Sequence, residues 1–241
     1  ANSIATTFVP ELVRRVRAGD KSGFQSWLTS GVRWISILTI PASVAIVILA
    51  HPIISAILEH GHFNSIASHN TARALAGFSV GLAGFSVYIF CLRGFYAHED
   101  TRTPFYINLF ENGLNIILAL FLVERHGVLG LGLSFGIAYM VSSVVVLWLL
   151  HKKYEAVQWL SLLSLVWRAT VGSAVMGAAV WGLEHVLHPR SGMSQLAELF
   201  LCIGAGLVVY IVSLYALRVP EMHNLASVMP TRGTDHETTL N

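Results

Sequence analysis

Asn108, Glu111, Asn112 and Asn115 stand at positions i, i+3, i+4 and i+7 of one apolar run. At about 100° per residue they share a helical arc of roughly 100°, so one face carries a carboxylate and three carboxamides. A carboxylate within hydrocarbon is costly, and such groups face a bundle interior or a wet cavity. The stripe is therefore expected to line a substrate or ion pathway, meeting a polar head group, a cation or a proton. The plainer alternative is that Glu111, about two turns in from Pro104, snorkels to the rim while the asparagines bond neighbouring helices.

A second charged group crowds the short link around His98–Pro104. Arg93, Glu99, Asp100 and Arg102 can form a salt-bridge cluster that opens and closes with a gate. Otherwise they are a solvated turn whose positive charges fix topology. His60, His62 and His69 with Glu59 have a spacing that fits no standard metal site, and no metal is expected there. The chain contains no Ser/His/Asp set, no phosphate-cradling glycine loop and no HExxH. No catalytic residue is assigned, and the chain is expected not to be an enzyme.

The elements that position these groups are apolar runs. Hydrophobic residues are 54% of the chain and charged residues 12%, against roughly 25% charged in soluble domains. The net charge of +2 gives no reason to expect a nucleic-acid partner. A bilayer core about 30 Å thick needs roughly 20 apolar helical residues. Runs of that kind place spans at about Val32–Leu58, Arg73–Phe95, Phe105–Val123, Val128–Leu150, Leu160–Leu187 and Leu196–Leu217. The fold class is all-α, a polytopic membrane protein with six complete spans. Pro41 is expected to kink the first.

Before the first span, residues 1–31 read as the end of a preceding transmembrane helix and a basic amphipathic link, Pro10–Gly23, suited to a lipid surface. Residues 32–150 hold four spans, 151–218 two more, and 219–241 a polar tail expected to be disordered. The chain opens without Met inside an apolar segment, so a C-terminal portion of a larger membrane protein is expected. Gly127, Gly130, Gly132 and Gly136, with Ser79, Gly81, Gly84 and Ser86, suit close helix packing. Cys91 and Cys202 read as small buried hydrophobes.

Basic residues alternate between loops. Arg14, Arg15, Arg17, Lys21 and Arg33 precede the first span; Arg93 and Arg102 flank the 98–104 turn; Lys152, Lys153 and Arg168 follow the fourth span, and Arg218 and Arg232 the sixth. The intervening loops carry Arg73, Arg125 and Arg190. This pattern puts both ends on the cytoplasmic side.

The string Arg93-Gly-Phe-Tyr-Ala-His-Glu-Asp-Thr-Arg-Thr-Pro104 resembles the MurJ/MviN family of lipid II flippases, within the multidrug/oligosaccharidyl-lipid/polysaccharide exporter superfamily. Val9-Pro10-Glu11-Leu12 with Ala18-Gly19-Asp20 is similar to that family's cytoplasmic link, Ile40-Pro41-Ala42 to its proline-broken helix, and Thr71-Ala72-Arg73-Ala74-Leu75 to the helix after it. The likeness covers about Ile4–His151; onward to Leu217 it rests on hydropathy and order.

The resemblance implies fourteen helices in two facing six-helix lobes with two extra helices at the C-terminus. This chain would hold the end of the eighth helix and the ninth to fourteenth. It implies flipping of lipid II across the bacterial cytoplasmic membrane by alternating access, for cell-wall synthesis. The partners implied are lipid II, membrane lipids and the missing N-terminal lobe, which would carry most of the pyrophosphate-holding arginines. The last two helices would help form a groove for the lipid tail.

Where relatives often carry a polar residue one turn after the position of Asn115, this chain has Ala119. That leaves Glu111 and Asn112 as the groups for a cation. No cofactor is expected beyond a coupling cation or the membrane potential, and no nucleotide-binding motif points to ATP. The rival expectations are a flippase for another polyprenyl-linked glycan, a multidrug exporter, a membrane-embedded glycan-modifying enzyme, and a scaffold. In the last case the tail, with Thr231, Thr234, Thr238 and Thr239, would recruit a cytoplasmic partner.

Overall fold

A computed structural model describes residues 2–58, 65–187 and 195–219. Glu59, His60 and His62, the 189–194 loop with Arg190, and the tail from Pro220, with Arg232 and its threonines, lie outside the described residues.

The apolar runs form helices in the expected order. They are α1 (Asn2–Arg17), α2 (Lys21–Leu58), α3 (Ser65–Val80), α4 (Leu82–Ala97), α5 (Arg102–His126), α6 (Val128–Tyr154), α7 (Trp159–Leu187) and α8 (Gln195–Ala216). Among the described residues, α2, α5, α6, α7 and α8 are each long and apolar enough to cross a membrane. The α3–α4 pair, bent by 45°, is apolar and long enough when taken together, and counted as one broken span it brings the number to six.

The second span was expected to run unbroken over Arg73–Phe95, and the structure breaks it at Gly81. The cause lies in a neighbouring helix. A Cβ on Gly81 would stand 2.4 Å from the Gly136 Cα of α6, and one on Gly84 would stand 2.8 Å from Met140 backbone. Gly77 meets Gly132 in the same way, at 3.0 Å. With no Cβ in the seam, α3 and α4 press their backbones onto α6, as small residues permit in lipid.

The amphipathic Pro10–Gly23 segment does not lie apart on a surface. Its first part completes α1, and a turn at 18–20 leads into α2. The Asp20 carboxylate caps α2 by accepting from the Gly23 amide at 2.9 Å. Phe8 and Leu12 of α1 are buried against Phe24, Leu28, Phe90 and Phe95. The apolar side of this segment is thus spent on the core of the bundle.

Helix α2 continues through Pro41 and Pro52. Pro41 has no N–H for the carbonyl of Ile37. That carbonyl instead accepts the Tyr210 hydroxyl of α8 at 2.8 Å, so the proline frees an acceptor that fastens two helices. Three apolar clusters share α2. One joins its first half to α1, α4, α6 and the α6–α7 link, another joins its later part to α7 and α8, and a small third joins Ala50 and Ile54 to Ala72 of α3.

Candidate functional site

The stripe on α5 is divided by its surroundings. Helix α5 packs against α6 and buries few residues, Pro104, Ile107 and Glu111. Glu111 is 2% exposed, and its carboxylate interacts with the Tyr139 hydroxyl of α6. Asn108 accepts from the Tyr88 hydroxyl of α4 at 2.9 Å and donates to the Pro104 carbonyl at 2.9 Å. Tyr88 and Tyr139 meet edge to face at 5.2 Å, so the two polar pairs are joined by an aromatic bridge. Asn112 points outward, its amide donating to the Asn108 carbonyl at 2.8 Å, and Asn115 is half-buried. Asn108 and Glu111 therefore form one site with two tyrosines, and Asn112 and Asn115 stand outside it.

Sequence reasoning missed both tyrosines. Tyr88 is twenty residues from Asn108, and Tyr139 lies on another helix, so no local spacing marks them. The available signal is physical: a carboxylate 2% exposed in a bundle needs a donor, and tyrosine supplies one from an otherwise apolar ring.

The gate cluster is also redrawn. Of its four residues, Asp100 is the one that takes an ion pair. Lys153, at the end of α6, approaches to 2.7 Å, with the Asp100 side chain 10% exposed. The Thr103 amide donates to Asp100 at 3.1 Å at the start of α5, and the Tyr154 hydroxyl lies at 3.4 Å. Burial opposes ionisation of this carboxyl, but the Lys153 ammonium and the Thr103 hydroxyl and amide outweigh it and hold it well below the usual carboxylate range. Glu99 is exposed with φ +58°, Arg102 is exposed, and Arg93 is half-buried. Among the described residues these three make no ion pair.

Two cavities flank this framework. A polar cleft of about 440 Å³ is lined by Arg15, Asp20, Lys21, His98, Lys153 and Glu155, among others, where the α1–α2 turn meets the ends of α4 and α6. There His98 stacks on Tyr154 at 3.8 Å. An apolar groove of about 580 Å³ runs between α2, α4, α6 and α7, along Val47, Ile48, Val87, Val144, Leu163 and Val166. Ser36, Ser43, Ser143 and Thr170 are its polar residues. Of the histidines weighed for a metal, His69 is described; its ring faces His51 at 6.3 Å.

Known proteins share this fold. The structure superposes on a solved lipid II flippase MurJ in an inward closed conformation with a TM-score of 0.72. The match covers 93% of this chain and 44% of that one, at 20% sequence identity. A probable lipid II flippase MurJ of Rhizobium meliloti is 27% identical over 213 residues, covering 86% of this chain and 40% of the relative. Another, of Rickettsia prowazekii, is 32% identical over 136 residues, 56% of this chain and 27% of the relative. The chain thus spans less than half the length of these relatives. The family model for lipid II flippase MurJ matches residues 1–201, through α1 to α7 and into α8, so the chain belongs to the MurJ family.

Proposed function

We propose that this chain is the C-terminal part of a transporter that moves lipid II across the bacterial cytoplasmic membrane by alternating access. The activity belongs to the whole protein, in which a further lobe would close the pathway against this one. The observation that carries the reading is the apolar groove. Its size falls in the range of ligand sites, and its walls suit a polyprenyl tail. The sugar, peptide and pyrophosphate head cannot cross hydrocarbon unaided, because burying unpaired charge and polar groups is prohibitive. A groove for the tail beside a wet pathway for the head removes that barrier.

Within this reading the chain's residues divide the work. Glu111, held by Tyr139, takes a coupling cation or proton, with Asn108 ordered beside it by Tyr88. The membrane potential adds about 2.3 kcal/mol per charge per 100 mV. The Asp100–Lys153 pair ties the start of α5 to the end of α6 and acts as the gate on the cytoplasmic side, the side that the basic loops favour for both termini. Asn112 and Asn115 face the pathway from α5.

The test is outer-leaflet lipid II in cells depleted of their own flippase and supplied with the full-length protein. Restored exposure is expected, and Val47→Trp, which fills the groove, should abolish it while the protein still reaches the membrane. Wild-type protein in the membrane without exposure would overturn the substrate and favour another polyprenyl-linked glycan or a drug.

A further inference from the structure

At the end of the bundle opposite Asp100–Lys153, two imidazoles face each other across the seam between α2 and α3. Ala50 and Ile54 of α2 close on Ala72 of α3, and the Ser55 and Ser68 hydroxyls meet across the same seam at 3.5 Å. On its flank, His51 of α2 and His69 of α3 have ring centres 6.3 Å apart and planes at 60°. Both side chains are exposed, so either ring can turn without disturbing the core. Eighteen residues separate them in the chain, and no local spacing marks the pair.

Distance decides whether one ion can reach both rings. With a metal–nitrogen bond of about 2.0–2.1 Å, the centre of a ligating imidazole stands about 3.2 Å from the ion. Two rings on one ion are then about 5.2 Å apart at a tetrahedral angle and at most about 6.4 Å apart. The observed separation lies inside that range, and the backbones that carry the rings are fixed by the packed seam. His51 Nδ1 lies 3.5 Å from the Ser55 hydroxyl one turn on. With Nδ1–H donating to that oxygen, Nε2 keeps its lone pair, which is how a ligating histidine is oriented through its other ring nitrogen.

The surroundings permit an ion. At about 1.5 Å per residue, His51 lies about 27 Å along α2 from Arg33. That is close to the roughly 30 Å of hydrocarbon, so the pair stands near a membrane surface, within reach of water. Arg73, the next charged residue of α3, is engaged elsewhere, donating to the His126 carbonyl at the end of α5 at 3.3 Å. Imidazole nitrogen suits Zn²⁺ and Cu²⁺, whereas Ca²⁺ and Mg²⁺ take oxygen ligands.

We propose that His51 and His69 bind one transition-metal ion of the Zn²⁺ or Cu²⁺ class, with water in its remaining positions. The bound ion staples α2 to the start of α3, the half of the bent pair that precedes Gly81. The site uses neither Glu111 nor the apolar groove, so it stands apart from the transport reading.

The test adds Cu²⁺ to the untagged full-length protein and reads nitrogen ligation by electron paramagnetic resonance, with Zn²⁺ binding followed by calorimetry. Wild type should bind one equivalent that H51Q/H69Q lacks. H51Q and H69Q alone should each weaken binding about tenfold or more. Because both side chains are exposed, the melting temperature without metal should be the same in all four proteins. Zn²⁺ should raise it in wild type, through linkage of binding to folding, and not in the double variant. Undiminished binding in either single variant overturns the proposal. Loss of the ion in H60Q/H62Q, with H51Q/H69Q still binding it, would place the metal on the loop histidines and overturn it as well.

Discussion

Helices α5 and α6 are neighbours in sequence, joined through Gly127 at φ +58°, and both qualify as spans, yet they are built for opposite purposes. In its most apolar window α6 is 44% buried, and α5 is 11% buried. The burial of α6 comes from absent side chains: Gly132 and Gly136 let α3 and α4 lie against its backbone, and Val146 and Leu150 fill the core. Helix α5 keeps Leu109, Ile116, Leu120 and Phe121 exposed and turns Glu111 inward. It is tied to α6 at both ends, by the Gly127 turn and by Asp100–Lys153. The bundle thus rests on a helix with little chemistry and carries its chemistry on a helix with little packing. Such an element can shift against its neighbours with little core to repack.

The largest effect should follow from breaking the seam that supports α6. A side chain at Gly81 meets the Gly136 backbone, which cannot move aside as a side-chain tip can. Gly81→Leu should cost about 3 kcal/mol, the upper end of overpacking penalties, and should remove folded protein from the membrane fraction. Gly182, whose Cβ would meet nothing within 4 Å, is the control, and Gly182→Leu should leave the amount unchanged. Equal accumulation of the two variants would mean that the seam does not hold the helices.

Next comes the chemistry on α5. Glu111→Gln keeps the shape and an acceptor for Tyr139 but removes the charge. Transport in the complementation assay should fall about tenfold or more, equivalent to roughly 1.4 kcal/mol on the barrier. The melting temperature should change little, because the buried amide still offers Tyr139 an acceptor. Normal transport by this variant would return Glu111 to a packing role.

The same contrast explains what could be read in the chain beforehand. Span number, order and most ends were legible, because hydropathy reports length against a bilayer whatever the neighbours do. The small residues of α6 were legible as packing for the same reason. The break at Gly81 was not, because the residues on both sides are apolar and its cause sits on another helix. The fate of α1 was hidden likewise: an amphipathic face fits a lipid surface or a protein core, and Phe24 and Phe90 decide between them. Within the gate cluster, charge spacing could name Asp100 but not its partner, since Lys153 is 53 residues away. The α5 stripe showed which residues share a face, and the tyrosines opposite determine which of them act together.

The tether at the open end of α5 gives a smaller, pH-dependent effect. The Asp100 carboxyl is depressed below its usual value, so its stabilisation is complete at neutral pH. It persists down to the ordinary carboxylate range near about 4 and is lost as pH falls further toward the folded-state value. Asp100→Asn should cost about 1 kcal/mol at pH 7, because Lys153 is half exposed and solvent screens the pair. The wild-type advantage should shrink on acidification below pH about 4. A cost that persists unchanged below that range would show that hydrogen bonds to Thr103, not charge, hold the tether.

The smallest effect is expected on the exposed side of α5, with a truncation on the buried side of α6 as its reference. Leu150 is 0% exposed and Leu120 is 68% exposed. Leu150→Ala should cost about 2–5 kcal/mol through lost burial and a cavity, while Leu120→Ala should stay within about 0.5 kcal/mol in thermal unfolding. What separates the two helices is then read in transport. If Leu120 faces lipid, the variant should transport as wild type does. If transport falls while the melting temperature holds, that face of α5 meets another part of the full-length protein during the cycle, and the sparse packing of α5 reflects a surface shared with the opposing lobe.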